Sequence, residues 1–385
     1  IALLREGSTE GKSKAAAVLR KLAAKANNSI SIAREGGISA LIALLREGST
    51  EGKSKAAAVL RKLAAKANNS ISIAREGGIS ALVALLREGS AAGKVLAAEV
   101  LYDFARYTDN KISIARKGGI SALIALLRKG SAAGKIKAAE VLGKLAADAD
   151  NSIRIGREGG ISALIALLRG GSEEGRIKAA EILGKFNAKA ANRVSISREG
   201  GISALVALLR EGSAEGKIKA ATVLYDFARN NDNKICIARE GGMSALIALL
   251  REGSEEGKIK AAELLYEFAL HANIRLSISR GGGISALIAV LREGSSYAQF
   301  RAVLVLDQLA ENTDNSISIG REGGISALIA IFREGSADGK FQATGALRCL
   351  AENPDISVRN ALHSGIAALI ALLREHISEC IYQSV

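Results

Sequence analysis

Few residues in this chain have types and spacings that could do chemistry. The three histidines, His271, His363 and His376, are the natural metal ligands and proton carriers near neutral pH. None stands in a His-x-x-x-His pair or beside a cysteine at metal spacing. The three cysteines, Cys236, Cys349 and Cys380, are far apart and odd in number. They offer no disulfide framework and no Cys-x-x-Cys site, and they suit a reducing compartment, cytoplasmic or nuclear. A Gly-x-Ser-x-Gly nucleophile elbow does not occur. Adjacent carboxylates such as Glu173 and Glu174 follow a serine at a helix start, where acids complement the helix dipole. These residues argue for a protein that is not an enzyme and that needs no cofactor and no metal.

Glycine is the next candidate, because glycine-rich loops cradle phosphates. The pair Gly36-Gly37 is followed by Ile38, and the pattern returns as Gly77-Gly78-Ile79, then Gly118-Gly119-Ile120 and onward to Gly323-Gly324-Ile325, always 41 residues on. It decays at Ser364-Gly365-Ile366. No strand pattern precedes these pairs and no Gly-x-x-x-x-Gly-Lys-Ser/Thr occurs, so a bend between helices is the reading, not a phosphate loop. Residues 1–41 and 42–82 are identical letter for letter, which points to recent duplication or to engineering.

One period shows which elements must position everything else. Asp150-Asn151-Ser152 offers N-caps for a short first helix ending at Arg157. Gly159-Gly160 terminates it through the left-handed conformation. A middle helix follows over Ile161–Arg169, and Ser172 caps a long third helix running to about Ala190. The chain therefore predicts one solenoid over residues 1–385, of about nine three-helix repeats, with a divergent end at 377–385. Residue 1 falls in a middle helix, so Ile1, Leu3 and Leu4 are expected to lie on an uncovered apolar end, with end-to-end self-association as a consequence.

Composition agrees. Apolar residues make up 48% and aromatics only 3%, with no Trp and one Pro, which suits neither a β-sandwich nor a disordered chain. No apolar run is long enough to predict a membrane span. The net charge is +14, and each of the first two copies carries seven Lys/Arg against three Glu, so residues 1–82 hold +8 of it. Such an excess attracts acidic partners. A nucleic-acid ligand is disfavoured, because the few aromatics that could stack on bases sit beside acids.

Three helices per 41 residues, with strings such as GGISALIALLREGS and AAEVLGKLA, resemble the armadillo repeat family. The resemblance spans essentially the whole chain and implies an all-α, right-handed α-α superhelix. It also implies a concave groove, lined by the third helices, that binds a partner protein or peptide. In importin-α-type members a Trp and an Asn on the third helix grip the peptide. Here the Asn position holds residues such as Lys21, Lys62, Asp103 and Lys144, which argues against a nuclear-transport adaptor.

On a helical wheel, Lys137, Glu140, Lys144 and Asp148 share the face opposite the apolar stripe of the fourth copy. The equivalent positions define the candidate groove: Lys14, Lys21, Lys55, Lys62, Tyr102, Asp103, Lys137, Glu140, Lys144, Lys178, Lys185, Tyr225, Asp226, Tyr266 and Glu267. Lys25 and Lys66 are expected to extend its basic start, and the tyrosines are the candidate anchors. Two arginine series recur in every copy, one typified by Arg46 and one by Arg75. Both are assigned to structure, as cations at helix C-termini, because a reading site should vary between copies. The expected function is a non-enzymatic protein-interaction scaffold. The alternatives are a transport adaptor, a nucleic-acid binder and an engineered or structural solenoid without an evolved ligand.

Overall fold

The computed structural model describes residues 1–353. His363, His376, Cys380, Arg374, the decayed Ser364-Gly365-Ile366 triplet and the expected divergent end at 377–385 lie outside them. Two compact units are formed, Ile1–Ala204 and Leu205 onward, each built from the same parts. All regular structure among the described residues is helical: a leading middle and third helix, then eight complete sets of first, middle and third helix.

Local sequence explains each boundary. Ser49 caps the third helix Thr50–Leu63 by accepting the Gly52 N–H at 3.2 Å, and Ser172 caps Glu173–Asn187 through Gly175 at 3.3 Å. The first helix runs Ala149–Arg157 and is capped by Asp148, whose carboxylate accepts the Asn151 N–H at 2.9 Å. The caps expected at 150–152 therefore lie inside its first turn. Asp148 is spent on that cap and does not belong to the third-helix face. The third helix stops at Asn187, short of Ala190, because Lys189 already serves as N-cap of the next first helix.

The glycine pair makes the bend in two steps. Gly118 takes φ 76°, ψ 24°, a left-handed conformation that stops the first helix. Gly119 then opens the middle helix, where a Cβ would run into the carbonyl oxygen of Ile114 at 2.7 Å. The guanidinium of Arg87, from the preceding middle helix, lies where a Cβ on Gly118 would project and donates to the Gly118 carbonyl at 3.3 Å. The same bond joins Arg46 to Gly77 (3.4 Å), Arg128 to Gly159 (3.2 Å) and Arg251 to Gly282 (3.0 Å). This arginine series is structural, as its invariance suggests.

Within each unit, every third helix packs on the middle helix before it and on the third helix of the next copy. Middle helices such as Gly160–Gly170 bury Ile161, Leu164, Ile165, Leu167 and Leu168. Phe104 and Phe186 anchor the core of the first unit, and Phe227 and Phe268 that of the second, all without solvent contact. Asn110 and Asn192 tie consecutive first helices together, donating to the Ser70 hydroxyl at 3.1 Å and the Ser152 hydroxyl at 2.9 Å. In the leading copy Leu3 is 53% exposed but Leu4 only 2%, so Leu4 belongs to the core and not to an uncovered end.

Gly118→Ala should lower stability by roughly 1–3 kcal/mol, because the left-handed conformation is strained and Arg87 must leave. Gly170→Ala, in open space at the end of a helix, should raise it by up to about 1 kcal/mol. Urea titration of the two variants checks both signs.

Candidate partner-binding face of the third helices

In the first unit the third helices are Thr9–Leu22, Thr50–Leu63, Ala91–Phe104, Ala132–Leu145 and Glu173–Asn187. Their alanine- and leucine-rich sides are buried, for example Ala138, Ala139, Leu142 and Leu145. The opposite side carries the expected columns, and stacking brings several of their members together. Lys137 meets Glu140 at 2.5 Å, Lys178 reaches Glu140 at 3.8 Å and Glu181 at 3.0 Å, and Lys185 meets Glu181 at 2.7 Å. Tyr102 is half-buried. The Lys144 ammonium sits 3.5 Å from its ring centroid, and Lys137 is 5.4 Å away. The aromatic face proposed as an anchor is thus already occupied by cations of the next layer.

Asp103 is engaged as well. Arg61 meets Glu99 at 2.5 Å and Asp103 at 3.4 Å, and Arg106 also reaches Asp103 at 3.4 Å. Sequence reasoning missed Arg61, Glu99 and Arg106. The signal was present as opposite charges 38 and 42 residues apart, one period displaced by a few residues.

The first two copies differ. Lys14 and Lys55 pair along their own helices with Glu10 at 2.6 Å and Glu51 at 2.5 Å. Lys21 and Lys62 are exposed and have no ion pair among the described residues. Lys25 and Lys66 are not on this face: each is the N-cap of the following first helix.

In the second unit Tyr225 and Tyr266 are half-buried and Asp226 is exposed. Burial pushes the Tyr225 phenol up, and Glu267 and Glu263 push it further. Glu267 lies 3.6 Å from Lys234, whose side chain is only 6% exposed and whose ammonium sits 2.8 Å from His271 Nε2. Lys234 comes from a first helix, so no wheel of the third helix could reveal it. Glu263 is shared between Lys260 at 3.0 Å and Arg301 at 3.3 Å.

The two cysteines among the described residues are held protonated. Burial raises the Cys236 and Cys349 thiols, and Asp307 adds to the rise at Cys349. No single helix among the described residues is long and apolar enough to cross a membrane.

Glu181 responds most strongly to its surroundings. Burial works against its ionised form, but hydrogen bonds from Lys185 and Lys178 outweigh that and hold it at about 2, against an ordinary 4.5. The folded state therefore gains stability from ionised Glu181 above its ordinary range and loses it as pH falls from about 5 toward 2. Glu181→Gln should flatten this part of the pH–stability profile, with little change in slope above pH 6. Thermal midpoints measured from pH 2 to 7 check it.

No family model and no curated protein matches the chain. Among solved structures it is similar to the crystal structure of an engineered protein from the Northeast Structural Genomics Consortium, with a TM-score of 0.78 and 25% identity over 97% of this chain and 93% of that one. The fold is an all-α helical-repeat solenoid fold.

Proposed function

We propose that the chain is a non-enzymatic protein-interaction scaffold of armadillo type, which takes an acidic partner segment on the third-helix face of its first two copies. One observation carries this reading. Lys21 and Lys62 stand exposed without an acid to neutralise them, while the charged groups of later layers, from Glu99 through Lys185, are largely committed to one another or to Arg61. Unpaired cations on a rigid helical surface attract an anionic segment and speed its encounter. A second reading is an engineered or structural solenoid without an evolved ligand. Two identical copies in succession and the likeness to an engineered protein favour it. Under the first reading the protein works in the cytoplasm or nucleus.

The Lys21→Glu/Lys62→Glu double variant separates the two. A fluorescent glutamate-rich peptide should bind the parent chain in low salt, and the double variant should slow its association by about tenfold with a smaller effect on dissociation. Binding insensitive both to the reversal and to added salt, or no binding at all, favours the ligand-free solenoid.

A further inference from the structure

The second arginine series behaves unlike the first. In the first unit it comprises Arg34, Arg75, Arg116, Arg157 and Arg198, each in the last turn of a first helix. All five are exposed, and none makes a hydrogen bond or ion pair among the described residues. The helix dipole accounts for a cation at these sites but not for a guanidinium, since lysine would serve equally. Lysine is tolerated next door, at Lys117, yet eight successive positions of the series, from Arg34 to Arg321, are arginine, and only the decayed last copy departs, with Leu362. A forked guanidinium kept through the five copies of this unit without an internal partner is free to meet paired oxygen acceptors outside the chain.

None of the neighbouring glutamates forms an ion pair with these arginines among the described residues. Glu76 accepts a hydrogen bond from Ser39 and Glu199 from Ser162, while Glu158 is held by Arg154 at 2.6 Å. One turn before each arginine stands an aliphatic residue: Ile30, Ile71, Ile112, Ile153 and Val194. Residues four apart share a helix face. Ile30 and Ile71 are each 44% exposed, Ile112 37% and Val194 63%, so the apolar half of four of the five pairs is open to a partner, while Ile153 is half-buried.

We propose that this row in the first unit is a docking surface for an acidic amphipathic helix laid across the first helices, presenting one aliphatic side chain and one carboxylate in every heptad. Packed helices lie about 8–10 Å apart. Seven residues of a crossing helix rise about 10.5 Å, close to that spacing, so one heptad spans roughly one layer. The unpaired arginines supply the charge complementarity that selects an acidic occupant. A lipid surface is the poorer fit, because helices that bind membranes anchor through Trp, Phe or Leu, and this row holds only Ile and Val. The surface lies on the first helices, distinct from the third-helix face proposed above. An invariant row suits a regular partner just as a varied one suits an irregular partner.

The test uses the full chain and a fluorescent helical peptide of four heptads, each with Leu and Glu one turn apart. Binding should weaken steeply with salt and fall at least about tenfold in the Arg75→Glu/Arg116→Glu/Arg157→Glu variant. It should fall less in the matching Arg→Lys variant, and it should survive Lys21→Glu/Lys62→Glu, which separates this surface from the third-helix face. Circular dichroism should show the charge-reversal variant fully helical, since these arginines have no internal partners. Three results overturn the proposal: equal binding of a scrambled peptide of the same composition, unchanged binding by the charge-reversal variant, or capture by phosphatidylserine vesicles without binding of the peptide.

Discussion

The Gly-Gly bend is the constraint on which the rest of the structure depends. A first glycine at positive φ halts one helix, and a second without a Cβ lets the next begin against an isoleucine of the helix just ended. The carbonyl of the first glycine accepts an N–H from the first turn of the middle helix, and an arginine from the preceding copy donates to it as well. Each such bond is worth only about 0.5–1.5 kcal/mol. It recurs in five copies, from Arg46, Arg87, Arg128, Arg169 and Arg251, and links each of those middle helices to the bend of the copy that follows. The apolar face of each middle helix is thereby presented to the same neighbours every time.

On that uniform frame the copies differ in their buried polar groups. Ser70 and Ser152 accept from asparagines of the next copy, whereas the same register position holds Lys234 and Arg275 in two copies of the second unit and Ser316 in a third. The buried Lys234 recruits Glu267 and His271, and the half-buried Arg275 recruits Glu311 at 2.6 Å. Removing one partner from such a pair leaves a poorly solvated charge, so each pair favours its own neighbour over any other layer. Uniform backbone geometry and layer-specific charge pairs are thus separate devices, one for shape and one for order.

Charge on the outer surfaces divides in a similar way. The third-helix face of the first unit neutralises itself from its third layer onward, with lysines even stacked on Tyr102. Lys21 and Lys62 of its first two layers and the first-helix arginines of that unit have no ion pair among the described residues. In a chain of net charge +14, these cations are held on helices without internal partners, where they are available for association.

Much was determined by sequence alone: the 41-residue period, three helices per copy, the serine caps and the glycine bends. These follow from short-range rules that act within a few residues. The expected first-helix cap missed for the same reason. Asp148 and the nearby Asp150, Asn151 and Ser152 all satisfy the local rule, and packing buries Asn151 and Ser152 in the first turn, leaving the cap to Asp148. Ion pairs such as Arg61 with Glu99 join residues 38 apart and required the stacking distance between layers. The identical first two copies show the division most plainly. Val18 is 57% exposed and Leu22 45%, while Val59 and Leu63, the same letters in the same context one period later, are fully buried. Local sequence decides that these residues face along the stack. Whether they are buried is a property of the neighbouring layer, which only the tertiary structure supplies.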